Sequence, residues 1–388
     1  MKEKEALIRF CRDIIGTPSY SGKEREAVRL VAEKMEELGF DEVKRDHYGS
    51  LIGKLRGRGE GASVLLDGHI DTVEVNDKES WRFDPFAAEI FEGKIYGRGA
   101  SDMKGALAAM IFAAARFAGT RPKGDIYVTA TVHEEMFEGV ALQNILKEIS
   151  VGLVIIGEAS DLKLMTGQRG RAELKVESTG KSCHSANPEH GINAVYSLLD
   201  LIKKLRTLPL PEDPHLGKAI MELTDIISHP YPGASVVPNS CSATYDRRLV
   251  TGETEDSVCA PIRETFERLE ATDPTIGASV EVSFGTEECY TGREISASRF
   301  FPAWYFDPAE PFVEKAKSAL KAAGFDSDPG SYSFCTNGSA SAGRLGIPTI
   351  GFGPSKEHLA HVRDEYIELA QLVRSVDGYE ALIRSAWA

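Results

Sequence analysis

Residues 65–72 read Leu65-Leu66-Asp67-Gly68-His69-Ile70-Asp71-Thr72, an apolar run that ends in a histidine and an aspartate two positions apart. Side chains on a strand repeat every two residues, so both groups leave one face. A neutral imidazole is a good zinc ligand, and a carboxylate beside it can hold the ring in one tautomer or balance the charge of an ion. Alone, such a pair is commonly a hydrogen-bonded surface feature. Further acids on the same side give it meaning.

Working outward, Ala6 to Ile15 and Glu24 to Leu38 carry apolar residues at helical spacing. Glu42 to Leu55 and Ser63 to Leu66 read as strands, and a long loop rich in Asp, Trp and Gly follows from Glu74 to Gly99. Met103 to Phe117, rich in Ala and Met, predicts a helix of low bulk with Asp102 at its first turn. Asp125 to Val132 predicts a strand ending in His133-Glu134-Glu135, and Leu153 to Ile156 another ending in Gly157-Glu158. Strands alternating with helices predict an α/β fold with a doubly wound, mainly parallel sheet.

From Arg171 the pattern becomes strand (172–178), helix (192–205), strand (219–227), strand (240–250), helix (255–270), strand (279–284). That order is the ferredoxin-like split β-α-β-β-α-β unit. A helix at Pro311 to Ala323, an apolar strand at Pro348 to Phe352, a loop with His358 and His361, and a final helix from Ile367 complete the chain. The simplest division is a catalytic α/β domain, 1–170 and 290–388, interrupted by an inserted α+β domain, 171–289.

At 388 residues and 42% hydrophobic content the chain is long enough for two or three domains with buried cores. A net charge of −14 disfavours nucleic acid or an anionic membrane as partner, because either demands a basic face. Met1 to Glu5 has no apolar signal core, and no stretch approaches the roughly 20 apolar residues of a membrane span. A cytoplasmic protein acting on small molecules is the expectation. Six cysteines, widely spaced and without a Cys-x-x-Cys pair, predict free thiols rather than a disulfide framework or a thiolate zinc site.

Ligands of open α/β sheets collect at the carboxyl ends of the strands. His69, Asp71, Glu134, Glu135 and Glu158 all fall at predicted strand ends, and Asp102 follows a turn. Carboxylates crowded at one rim repel each other unless a cation is shared among them. Two metal ions about 3.5–4 Å apart would use two histidines, two terminal carboxylates and one bridging carboxylate. His69, Asp102, Glu135, Glu158 and His361 supply that set. Adjacent Glu134 and Glu135 cannot point the same way, so one can bind metal while the other stays free as a base.

Gly68-His69-Ile70-Asp71-Thr72, Gly97-Arg98-Gly99-Ala100-Ser101-Asp102-Met103-Lys104-Gly105, His133-Glu134-Glu135 and Gly157-Glu158 resemble, in order, the signature of the di-zinc amidohydrolases that include acetylornithine deacetylase, succinyl-diaminopimelate desuccinylase, aminoacylase and carboxypeptidase G. The resemblance spans nearly the whole chain. It implies that His69 and Glu158 bind one zinc and Glu135 and His361 the other, with Asp102 bridging them. Asp71 would orient His69, and Glu134 would be the general base and acid. Gly180-Lys181-Ser182-Cys183-His184-Ser185-Ala186 is similar to the opening of that family's inserted dimerisation domain, and implies that His184 reaches the neighbouring subunit's active site. Asp246-Arg247-Arg248 resembles an element whose arginine, here Arg248, holds a substrate carboxylate, a task suited to guanidinium.

Departures bear on the substrate. Ser235 stands where many members carry asparagine, Cys335-Thr336-Asn337-Gly338-Ser339 replaces a Gly-Gly-Thr-Asp type loop, and Val362-Arg363-Asp364-Glu365 replaces an Asn-Glu ending. Asn337 is expected, with Arg248, at the substrate. The expectation as a whole is a homodimeric, zinc-dependent hydrolase of a linear amide, with cobalt or manganese as alternative metals. Its substrate would be a small N-acyl amino acid or, alternatively, a dipeptide or other short peptide.

Overall fold

The computed structural model describes residues 2–326 and 328–388. The chain divides into two compact units, one of residues 1–168, 286–297 and 304–388, the other of residues 169–285 and 298–303. The chain therefore passes between the units four times rather than the expected two. Residues 298–303 join the second unit because Phe300 and Phe301 pair with Ala172 and Arg171.

The first unit is built on a nine-stranded mixed sheet. At its centre the strands Ile126–Thr131, Val64–His69, Leu153–Ile156 and Thr349–Gly351 run parallel. Antiparallel strands flank them, Leu51–Leu55 and Glu42–Arg45 on one side, Met165–Gln168 on the other. A sheet with both faces covered needs strands apolar on both faces. Val64–His69 and Leu153–Ile156 are buried at every position.

The predicted Ala- and Met-rich helix is Gly105–Ala115, buried along all but its last residue. It starts later than expected. Residues 100–104 form an irregular turn in which Asp102 has φ −127° and ψ 95°, outside the helical region, so Asp102 precedes the helix instead of standing in its first turn. The helices Lys2–Ile15, Arg25–Glu37 and Leu369–Ser385 bury apolar faces in the same core.

The second unit has strands Gly170–Thr179, Ile220–His229, Ser240–Leu249 and Gly277–Val282, with helices Ala194–Leu205 and Glu255–Glu270. Numbered in chain order its strands lie 2-3-1-4 and pair antiparallel, the ferredoxin-like arrangement. Asn193 caps the first helix by accepting from the Val195 amide, and Thr254 and Ser257 close a capping box on the second. All six cysteines are free. Among the described residues no helix is long and apolar enough to cross a membrane.

Candidate metal centre

Strand ends of the parallel core deliver the first donors. His69 closes its strand, almost wholly buried, with Nδ1 2.9 Å from the backbone carbonyl of Asp71 and Nε2 2.9 Å from Asp102 Oδ1. A carbonyl oxygen only accepts, so Nδ1 carries a proton and Nε2 faces the acids. Glu158 follows the strand Leu153–Ile156 and brings Oε1 to 3.4 Å from the same Nε2. Its backbone is held from behind. Tyr332 donates to the Glu158 carbonyl at 3.0 Å and Tyr379 to that of Gly157 at 3.3 Å. A side chain at position 353 would place Cβ 2.3 Å from both carbonyl oxygens, so only glycine lets that segment pass.

Asp102 joins two imidazoles. Its Oδ2 lies 3.1 Å from His361 Nε2, and that nitrogen lies 2.9 Å from Glu135 Oε2. One carboxylate thus stands between two histidines, and each histidine has a second carboxylate, Glu158 or Glu135. Donor atoms of His69, Asp102 and Glu135 fall within 4.8 Å of one another, close enough to share an ion.

Glu134 stands apart from this pairing. Its Oε2 is 3.9 Å from His69 Nε2, and its Oε1 is buried without a hydrogen-bond partner. An orphaned carboxylate oxygen carries a desolvation cost unless something polar meets it.

Electrostatics describe the same cluster. Burial, reinforced by the charges of Glu158, Glu138 and Glu135 against the opposing pull of His69, raises Glu134 well above the usual carboxylate range. Burial and then Asp102 push Glu135 up to about 7 and also raise Glu158. Burial acts to raise Asp102 too, but hydrogen bonds and charge from His361 and His69 hold it low. His361, against its own desolvation, is pushed up to about 11 by Asp102 and Glu135. Glu134, Glu135 and Glu158 are thus raised while Asp102 is held low, and the surrounding carboxylates in turn raise both imidazoles. Divalent cations suit this donor set of imidazole and carboxylate.

A model of peptidase family M20/M25/M40 matches residues 65–385. The chain belongs to that family. It is 33% identical over 385 residues to the uncharacterised protein YgeY of Escherichia coli, covering 97% of this chain and 93% of that one. It is 27% identical to acetylornithine deacetylase of Vibrio atlanticus, covering 95% and 93%. Bacillus subtilis YxeP, a dinuclear metal-binding peptidase of family M20, superposes with a TM-score of 0.72 at 16% identity over 99% of this chain and 98% of that one. The protein is accordingly an enzyme of a metal-dependent hydrolase family.

The remaining expected residues of this M20 chain are placed as follows. Asp71 is buried, and its carboxylate serves backbone amides as well as facing the His69 ring. Oδ1 accepts from the Glu134 amide at 3.1 Å, while Oδ2 accepts from the Glu135 amide at 3.2 Å and from Ser21 Oγ at 2.7 Å. The nearest approach of that carboxylate to His69 Nδ1 is longer, 3.5 Å. Asp71 therefore fixes the backbone turn that separates the two glutamates, a turn begun by His133 in the left-handed region at φ 55°.

Asn337 differs from expectation. It is buried, its amide nitrogen donates to Asp67 Oδ2 at 2.8 Å and Thr131 Oγ1 at 2.9 Å, and its oxygen accepts from the Gly139 amide at 2.6 Å. With both amide protons committed beneath the strand ends, it has none to offer a substrate. Arg248 lies on the strand Ser240–Leu249 of the second unit, its Nε 2.7 Å from Asp246 Oδ1. His184 is exposed on that unit, and its Nδ1 accepts from the Ala186 amide at 3.0 Å.

No site role was assigned from the sequence to Ser21, Glu365, Tyr332 or Tyr379. Nothing local marks them, since each acts on a residue tens to hundreds of positions away.

Proposed function

We propose that the chain is an N-acyl amino acid deacylase carrying two divalent ions per subunit. His69 and Glu158 hold one, Glu135 and His361 the other, and Asp102 bridges. The observation that carries this reading is Glu134, an orphaned buried carboxylate beside five converging donors. Zinc fits first, by its liking for imidazole and carboxylate, with cobalt or manganese as substitutes. Bound there, the ions would polarise the scissile carbonyl and make water acidic enough to lose a proton near neutral pH.

The chain's own part is proton handling. Glu134 accepts a proton from water as the water oxygen bonds to the carbonyl carbon. It then passes that proton to the nitrogen as the C–N bond breaks, releasing an amine and a carboxylate. A carboxyl raised by burial suits both directions of transfer. Arg248 serves the substrate carboxylate, and His184 Nε2 donates to the carbonyl oxygen as it gains charge. Family membership and the likeness to acetylornithine deacetylase support the amide class. Membership of a peptidase family keeps the second reading, a dipeptidase or carboxypeptidase. Activity on acyl-amino acids, dipeptides and longer peptides, assayed with zinc, cobalt and manganese, decides between them.

The same reading makes the second unit a dimerisation domain. Ile220–His229 is an edge strand with Ile220, Ile226 and Ile227 exposed, an edge that a second copy would cover. His184 then serves the partner's site. Glu134→Gln and His184→Ala homodimers should each be nearly inactive. Refolded together, about half the molecules become heterodimers with one intact site, restoring roughly a quarter of wild-type activity. No recovery in verified heterodimers would confine His184 to its own chain. A cytoplasmic location and the absence of a nucleic-acid partner belong to this reading.

A further inference from the structure

We propose that Glu365 is a positioning residue that locks the His361 loop onto the Asp102 turn and thereby sets the second metal position. The proposal rests on the two-metal reading above. Glu365 is fully buried, and its carboxylate accepts on both oxygens. Oε1 takes the amides of Ser101 at 2.8 Å and Asp102 at 3.1 Å, and Oε2 takes Arg98 Nη1 at 2.7 Å. The same Nη1 reaches the Val362 carbonyl at 3.4 Å, next to His361.

The need for such a lock follows from the backbone. Asp102 lies in an irregular turn, outside the helix that would give its amide a carbonyl to bond. Buried amides demand acceptors, and here one distant side chain serves two of them. His361 is the half without secondary-structure support: half exposed, outside any strand or helix, and left-handed at φ 60°. Chain direction reinforces the lock, because Tyr366–Glu368 pairs with Lys94–Tyr96 immediately beyond it. His69 needs no such device, being fixed at the end of a central strand, and Glu158, just past its own strand, is held through backbone carbonyls by Tyr332 and Tyr379.

Glutamine at 365 is the informative change. It nearly preserves size but accepts on one atom only, so it can serve the two amides or Arg98, never both. Loss of an outer partner typically weakens metal binding by about 10- to 100-fold. Metal-free wild type, Glu365→Gln and Arg363→Ala are titrated with cobalt, following the d–d absorption bands and, by competition with a chelator, the affinity of each step. Arg363 tests the loop's exposed ion pair with Asp77, 2.7 Å, which is expected to contribute little.

The expected result is two ions in every protein. In Glu365→Gln one binding step should be about 10- to 100-fold weaker, with altered band intensities for that step. Arg363→Ala should match wild type. Two wild-type steps in a folded Glu365→Gln would overturn the lock while leaving the two-metal reading intact. A wild-type chain that takes up no cobalt would overturn both. Should Glu365→Gln fail to fold, Arg98→Met, which removes only the outer arm, is titrated instead, and unchanged affinities there overturn the proposal.

Discussion

His69 and His361 flank the same carboxylate, yet they are held by opposite means. His69 is a strand end in the middle of a parallel sheet, almost fully buried, its ring pinned by a carbonyl two residues along. His361 is half exposed on an irregular loop whose fixed points are side chains: Asp364 on the Arg82 amide and Glu365 on Arg98. One donor is positioned by secondary structure and the other by long-range polar contacts. The comparison teaches that one carboxylate can join two imidazoles that rest on unlike supports.

The largest effect should come from the residue common to both sides. Asp102→Ala removes the bridge, and metal content measured by plasma emission should fall from about two ions per chain to less than one, with activity at background. A fully loaded Asp102→Ala would mean the two sides are independent. Next is the pair of acids that Asp71 holds apart. Glu134→Gln should lower turnover by about 10² to 10⁴ with metal content unchanged, whereas Glu135→Gln should lose the ion on the loop side. Exchanged phenotypes would reverse the assignment of base and ligand.

Stability then separates the two histidines. In metal-free protein His69→Ala strips a buried carboxylate cluster of its partner and should cost about 1–3 kcal/mol by denaturant titration. His361→Ala, which takes one half-exposed partner from the Asp102 and Glu135 carboxylates, should cost less, about 1 kcal/mol. Equal costs would refute the contrast drawn between strand and loop. The smallest effect belongs to Ser21→Ala, which deletes one of several hydrogen bonds to Asp71 and should cost about 0.5 kcal/mol while both ions remain bound.

What the sequence made legible follows the same division. Apolar runs ending in polar residues put His69, Glu134, Glu135 and Glu158 at strand ends, because a buried parallel strand needs only its own residues to announce itself. The βαββαβ order of the second unit was readable from alternation along its antiparallel strands and helical spacing between them. Asp102 was placed in a helix whose first turn does not form there, since its amide is claimed by Glu365, 263 positions away. Asn337 was read as a substrate contact because its partners Asp67, Thr131 and Gly139 come from three other segments. The boundary at 289 failed because Phe300 and Phe301 return to a strand that pattern alone cannot connect to them. In each case the deciding partner lies outside any local window.

The strand Thr349–Gly351 fits between Leu153–Ile156 and Met165–Gln168, both of which are synthesised far earlier. At about 5–20 residues per second the ribosome leaves that gap open for on the order of ten seconds or more. The second unit, encoded between residues 169 and 303, has all its strands in hand during that wait. The first cannot close its sheet until the last tenth or so of the chain emerges, and His361 emerges later still. A chain stopped short of residue 349 would therefore present the bare hydrogen-bonding edge of Leu153–Ile156, a template for aggregation, rather than a weakened enzyme.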